Sequence, residues 1–367
     1  KLILCRGGAS GRFSSGWLRE AVLRIRMVRR KQGWGVAEMA VHSSAIEQAA
    51  SHDRSRAMDA FKLGDRVFYW ITRISAILVL VLLGGIIISL IVGSWPAIME
   101  FGGSFLTTQR WAPSAEPPVL GALSPLYGTI LTSIIAMTIA IPVGIGIAVF
   151  LTELCPLWAR APIGMAIELL AGIPSIIYGM WGFFILGPFL ADTVQPFFID
   201  LFDGVPILGS IFGGPASYLS LFNASLILAI MVLPFITAIS RDVFATVPPV
   251  LKEAAYGVGC TTWEVVRHVV LPYTRVGVIG GAMLALGRAL GETMAVTFII
   301  GNSFRISPSI FAPGTTISAA IASEFAESDG LHQSSLMLLG LLLFVLTFFV
   351  LAAARLMLLR LEKKAGK

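Results

Sequence analysis

Charge is scarce in this sequence: across 367 residues, Asp, Glu, Lys and Arg make up only 13%. A soluble domain carries about a quarter charged residues, so this composition cannot clothe a water-exposed globule of that length. Histidine is rarer still. His42, His52, His268 and His332 are scattered, and none stands in an apolar stretch beside a carboxylate, which argues against a membrane-embedded catalytic cluster. The three cysteines, Cys5, Cys155 and Cys260, have neither paired nor metal-ligand spacing, so neither a disulfide framework nor a metal site is expected. No Gly-x-x-x-x-Gly-Lys-Ser/Thr run occurs, which leaves the chain without a phosphate loop for a nucleotide. What it has in abundance is hydrocarbon. Hydrophobic residues reach 56% and the mean hydropathy is +0.84, so the fold class expected is an all-α integral membrane protein.

The net charge of +6 is local. Residues 1–60 hold 11 Lys or Arg against 5 Asp or Glu, and the remainder is balanced at 16 against 16. Nucleic acid would need a basic face on a folded module, so no nucleic-acid partner is expected. The head begins at Lys1 and scatters Arg6, Arg12, Arg19, Arg24, Arg26, Arg29 and Arg30 among Gly and Ser without a long apolar core, unlike an ordinary secretion signal. Residues 17–30 could form a basic amphipathic helix on a membrane surface. The preferred expectation for 1–60 is a disordered or artefactual head, with Met39 or Met58 as the natural first residue.

Six apolar stretches follow, at 71–93, 128–152, 162–187, 218–239, 273–301 and 334–358. Each is near or above the roughly 20 residues a helix needs to cross a bilayer. Basic residues in the connections set the orientation. Arg160, Arg241, Lys252, Arg267 and Arg275, with Arg355, Arg360, Lys363, Lys364 and Lys367, fall on one side, against Arg110 and Arg305 on the other. The first side is therefore expected to be cytoplasmic, with both termini inside. The opposite connections, 94–127, 188–217 and 302–333, read as plain loops of about thirty residues each.

The longest polar passage between two apolar segments in the second half runs from Glu253 to Pro272. Glu253, Glu264, Arg267 and His268 would be costly in hydrocarbon, so the passage must face water or another protein. Val250, Leu251, Ala254, Ala255 and Val258 recur at helical spacing, Gly257 and Gly259 interrupt, and Trp263, Val266, Val269 and Val270 resume the period. Glu253-Ala254-Ala255, then Gly259, then Val269 with Leu271-Pro272, resembles the Glu-Ala-Ala loop of ABC importer permeases, which implies a MetI-like type I fold. In that family the short helix is a coupling helix that docks on the ATP-hydrolysing subunit. The resemblance makes Glu253, Ala254, Ala255, Gly259, Leu271 and Pro272 the candidate coupling residues.

Ionisable residues inside spans are read as functional first. Arg288 and Glu292 stand four apart in the fifth stretch, on one face of a continuous helix and close enough to pair. A guanidinium presents donors suited to an oxyanion, so Arg288 is the candidate pathway residue and Glu292 its partner. Gly277, Gly281 and Ala285 make a small-residue run that admits either another helix or a permeating solute. Glu168, in the third stretch, is a further candidate pathway carboxylate. Pro174 is expected to kink or break that span, and Pro234 the fourth; Pro142 with Gly144 and Gly146 could bend the second in the same way but is read there as a packing feature.

From about 61 to 362 the chain resembles phosphate ABC transporter permeases of the PstC type. The passages that carry this are 169–179, 256–264 and Gly287-Arg288-Ala289-Leu290-Gly291-Glu292-Thr293-Met294-Ala295-Val296. Sulfate and molybdate permeases share the Arg-Ala-Leu-Gly-Glu run but follow it with Phe-Gly-Ala, where this chain has Thr-Met-Ala. The resemblance implies a first span and periplasmic loop at 61–127, a permease core at 128–361 with its coupling loop at 248–272, and a cytoplasmic tail at 362–367. It implies a non-catalytic subunit in a bacterial inner membrane, forming half of a pathway for inorganic phosphate. The implied partners are a homologous second permease of the PstA type, a dimeric ATPase of the PstB type that holds ATP and Mg, a periplasmic phosphate-binding protein of the PstS type, and membrane lipid. The chain itself would hold no cofactor. Alternatives are a sulfate or molybdate permease, or an ion-coupled secondary transporter; the latter needs no Glu-Ala-Ala loop, and the spans show no inverted repeat.

Overall fold

The computed structural model describes residues 36–364, with side chains described over 64–360. Residues 1–35 of the head and 365–367 of the tail therefore lie outside the described residues. Packing divides the chain into two units, 1–83 and 84–367. The described part of the first unit is helical throughout, and α1 (Val36–Phe101) contributes residues to both units. Helix thus begins inside the segment assigned to the head. At 64–83 every residue is exposed, and from Ile74 onward all but Ser75 are apolar, as a lipid-facing helix requires. Where its apolar run begins, Arg73 lies 5.9 Å from the Tyr69 ring and 5.7 Å from that of Trp70, and its Nη1 donates to the Tyr69 hydroxyl at 3.0 Å. Aromatic and basic residues of this kind anchor a helix at the membrane interface.

The second unit is built from α2 (Leu123–Leu154), α3 (Leu157–Ala171), α4 (Ser175–Phe202), α5 (Leu221–Phe244), α6 (Pro249–Gly257), α7 (Thr262–Leu290), α8 (Met294–Ile300), α9 (Ile317–Glu324) and α10 (Gly330–Lys364). Among the described residues, six helices are long and apolar enough to cross a membrane: Gly64–Phe101 of α1, then α2, α4, α5, α7 and α10. The backbone among these residues makes no strand, only an isolated bridge between Ala112 and Val119. The all-α, six-span expectation holds.

α5 is the pillar. The most apolar window of α5 is 61% buried, against 33% for α2 and 28% for α7. Ala224, Ile227, Leu228, Val232 and Ile236 of α5 pack against Ala136, Met137 and Ala140 of α2 and against Ala282, Ala285 and Ala289 of α7. Small residues allow this closeness, because lipid tails are as apolar as leucine and packing must hold the helices together. A Cβ at Gly277 would come within 2.6 Å of Val243, and one at Gly281 within 2.6 Å of Ile239. The small-residue run of α7 is therefore a seam for α5. Hydroxyls inside the spans turn back on their own helices: Thr132 donates to the Gly128 carbonyl at 2.8 Å, Ser225 to Leu221 at 2.7 Å and Thr274 to Val270 at 2.7 Å.

Three expectations need correction. The third span is 175–202, not 162–187. α3 ends at Ala171 because Pro174 has no N–H to continue it, and a new helix starts at Ser175. Residues 188–202 are consequently the second half of a span and no part of a loop, and Phe198 and Phe202 at its end stack with Phe212 beyond it. The fifth span likewise begins earlier, at Thr262, and stops at Leu290. Finally, helix runs through Pro142 in α2 and Pro234 in α5, so neither proline breaks its span.

Candidate functional site

The Glu-Ala-Ala passage folds as its periodicity predicts. α6 ends at Gly257, Gly259 takes φ +91°, and a new helix starts behind Thr261. A left-handed φ costs a side chain energy that glycine does not incur, so Gly259 is the hinge of this loop. Thr261 and Glu264 form a reciprocal cap. The Thr261 N–H donates to Glu264 Oε2 at 2.8 Å, and the Glu264 N–H donates to Thr261 Oγ1 at 3.4 Å. Val265 and Val270 then anchor the start of α7 in a small core with Ala148, Phe244, Val247 and Val278, against which Ala255, Cys260 and Leu271 pack. α6 itself buries no residue fully. Glu253 and Ala254 are exposed, Pro272 is exposed within α7, and Val258 and Trp263 are 83% and 66% exposed. The polar loop thus leaves Val250, Val258 and Trp263 bare.

At the opposite end of the same span lies the second feature. α7 stops at Leu290, Gly291 bends the chain, and helix resumes only at Met294. The Gly291 N–H reaches back to the Arg288 carbonyl at 3.2 Å, a tightened last turn. Glu292 is outside any helix, so the four-residue spacing to Arg288 no longer places the two side chains on one face. They form no ion pair, which corrects the expectation of an Arg288–Glu292 bridge. The break is held from α9: Ser318 Oγ donates to the Glu292 carbonyl at 2.7 Å, satisfying a backbone group that a continuous helix would have paired. Behind it α4 comes close to α8, since a Cβ on Gly182 would meet Ile299 at 2.3 Å and one on Gly179 would meet Ala295 at 3.1 Å. Arg288 stays exposed on this chain, between buried Ala285 and Ala289. It lies roughly 25 Å of helix beyond Leu271, with α8 still ahead of it.

Glu168 sits elsewhere. Its carboxylate is 52% exposed, belongs to α3 rather than to a span, and pairs with Arg241 Nη2 at 2.8 Å. Arg241 is in the last turn of α5, next to the Glu-Ala-Ala loop. The expectation of a buried pathway carboxylate in the third span is corrected accordingly. The pair lines a cavity of about 410 Å³ with Arg160 and Gly164. Thus the structure separates the sequence candidates into two places: Arg288 and Glu292 at the break, and Glu168 beside the loop with Glu253, Ala254, Ala255, Gly259, Leu271 and Pro272.

Sequence reasoning passed over several buttresses because their partners are far apart in the chain. Gln195, wholly buried, donates to the Ser217 carbonyl at 2.9 Å and to Asn223 Oδ1 at 3.1 Å, and accepts from the Ser217 N–H at 2.8 Å. Trp111 stacks on Phe304 at 5.1 Å and donates to Glu324 Oε2 at 2.7 Å, where His332 Nε2 also lies at 2.9 Å. An intraspan Gln or a loop Trp near a Glu carried no distinguishing spacing. Lys252 of α6 bonds Glu153 at the end of α2.

Comparison with known proteins agrees with this architecture. Residues 123–363 match the family model described as "Binding-protein-dependent transport system inner membrane component". The "Phosphate transport system permease protein PstC" of Mesorhizobium japonicum is 61% identical over 327 residues, covering 88% of this chain and 99% of that protein. Its namesake from Haemophilus influenzae is 53% identical over 303 residues, covering 83% of this chain and 96% of that one. A bacterial alginate ABC transporter in complex with an alginate-bound periplasmic protein aligns with 72% of this chain and 85% of its own at 15% identity, with a TM-score of 0.49. Six apolar helices, a Glu-Ala-Ala loop with its glycine hinge and a match over the whole core lead to one conclusion: the chain belongs to the binding-protein-dependent transport system inner membrane components, among the PstC-type permeases.

Proposed function

We propose that this chain is the permease subunit of an ATP-driven phosphate importer, forming half of the translocation pathway in a bacterial inner membrane. The observation that carries the reading is Arg288. A guanidinium in the last turn of the apolar span, exposed on the isolated chain and followed by the further apolar helix α8, is costly against lipid, which supports a second protein or a water-filled path beside it. Its planar fork of donors suits a tetrahedral oxyanion. Non-helical backbone beside it at Gly291–Thr293 is the kind of interruption tolerated at membrane depth only where it lines a cavity or is covered by protein. The names of the 61% and 53% identical relatives support phosphate as that oxyanion.

The remaining parts follow from this reading. The Glu-Ala-Ala end is cytoplasmic, with both termini inside, as the excess of Lys and Arg there supports. A homologous second permease covers the exposed side of Arg288 and closes the pathway. A dimeric ATPase, which holds ATP and Mg, docks on α6 against Val250, Val258 and Trp263 with Glu253, Ala254 and Ala255 beside them. A periplasmic phosphate-binding protein delivers substrate to the opposite end. ATP-driven closure of the ATPase moves α6, the spans rock, and Arg288 receives the anion. Glu168 enters as the carboxylate that occupies Arg241 near the inner mouth, since a carboxylate would repel phosphate.

The test is uptake of radiolabelled phosphate into liposomes holding this chain with its second permease and ATPase, with binding protein and ATP supplied. Uptake should be blocked by unlabelled phosphate and not by sulfate or molybdate, and Arg288→Ala should lower it about a hundredfold, the loss of a charge-assisted contact of roughly 3 kcal/mol. Competition by sulfate or molybdate would overturn the substrate; uptake without ATP would overturn the importer.

A further inference from the structure

We propose that the ion pair between Lys252 and Glu153 is the transmission contact of this permease, carrying movement of α6 into the second span. The proposal rests on the function proposed above. Lys252 is the one basic residue of α6, and its Nζ donates to Glu153 Oε1, ninety-nine residues away in sequence. The carboxylate is almost covered, its side chain being 7% exposed, and the ammonium is 21% exposed. On the outward side of the loop, Val250, Val258 and Trp263 are bare. A partner pressing on those residues therefore pushes against a helix whose charged inner contact is Glu153.

The receiving end is built to feel that push. Glu153 lies in a π-helical turn, Phe150–Leu154, which closes α2. Single π turns are irregular, and they recur where a helix has a mechanical or chemical task. The same turn is gripped from the other side, because Arg160 Nη2 of α3 donates to the Thr152 carbonyl at 2.7 Å. Farther along α3, Glu168 pairs with Arg241 of α5 at 2.8 Å. Three separate polar contacts, Lys252–Glu153, Arg160–Thr152 and Glu168–Arg241, thus join α6 to α2, α2 to α3 and α3 to α5. A covered ion pair suits the first link. Separating it leaves a carboxylate without water or counter-charge, so the end of α2 follows the lysine instead of letting it go. The apolar neighbours Ala255 and Cys260 can slide, but a charge pair cannot slide without breaking.

The experiment compares the whole reconstituted importer with Glu153→Gln, Lys252→Met and the exchange Glu153→Lys with Lys252→Glu. Phosphate uptake, ATP hydrolysis and copurification of the ATPase are read together. Each single variant should assemble and hydrolyse ATP yet move about tenfold less phosphate per ATP, a loss within the usual range of coupling between sites. The exchange should restore most of that ratio; a merely structural role would instead lower assembly, hydrolysis and uptake together in the single variants. Single variants with a normal phosphate-to-ATP ratio overturn the proposal. So does a parallel loss of assembly, hydrolysis and uptake that the exchange fails to restore. A wild-type complex without ATP-driven phosphate uptake overturns the functional reading and the pair with it; wild-type uptake with unaltered variants overturns the pair alone.

Discussion

The two ends of the 84–367 unit are made differently. At the end away from the Glu-Ala-Ala loop, distant segments are locked by backbone-close packing: a Cβ on Gly121 would stand 2.0 Å from the Thr108 carbonyl oxygen, and one on Gly128 would stand 2.0 Å from that of Thr315. Gln195 with Asn223, and Trp111 with Phe304 and Glu324, fasten the same end with satisfied polar contacts. At the Glu-Ala-Ala end, Cβ atoms on Gly257 and Gly259 would meet nothing within 4 Å, and large apolar side chains stand in the open. The first end is knit together by backbone-close packing and satisfied polar contacts; the second is held by a small apolar core and ion pairs.

The contrast can be broken most severely at its rigid side. Gly128→Val drives a side chain into the Thr315 backbone, which has nowhere to move, and should cost about 3 kcal/mol or more; the measure is the yield of monodisperse protein and its thermal unfolding in detergent. A normally folded Gly128→Val protein would show that this end yields after all. Next in size, Val258→Asp should leave folding within about 0.5 kcal/mol, as a surface change does. The same variant should weaken copurification of the ATPase about tenfold, the effect expected of an interface anchor. Equal retention of the ATPase would place the docking surface elsewhere.

Smaller again, Trp111→Phe keeps the aromatic face toward Phe304 but removes the N–H from Glu324. It should lower stability by about 1 kcal/mol, read as the unfolding midpoint in detergent, and leave uptake per folded molecule unchanged. A change in uptake instead would make this cluster part of the pathway. Gly257→Ala should be the mildest, within about 0.5 kcal/mol by the same unfolding assay, because the space beside it is open. Marked destabilisation there would mean that the two ends are alike.

Spans were legible where their physics is additive along the chain. The 24-residue α5 and the 32-residue α2 declare themselves by unbroken hydropathy, which a bilayer reads one residue at a time. The third span was misplaced because 162–187 and 175–202 are both apolar, and hydropathy does not say which half spans. Pro174 marks a break, whereas Pro142 and Pro234 stay within continuous helix, where neighbouring helices can make good a lost backbone bond.

By itself, the sequence determined the membrane class, the number of spans, the Glu-Ala-Ala loop with its glycine hinge and the presence of a guanidinium inside a span, because each depends on local composition or short spacing. Only the tertiary structure decided what those groups meet. Arg288 is released from Glu292 by a helix break at Gly291, Glu168 is claimed by Arg241, and Lys252 reaches Glu153 across ninety-nine residues. Such pairings depend on how helices stack in three dimensions, and a pair drawn from distant helices leaves no periodicity in the chain that forms it.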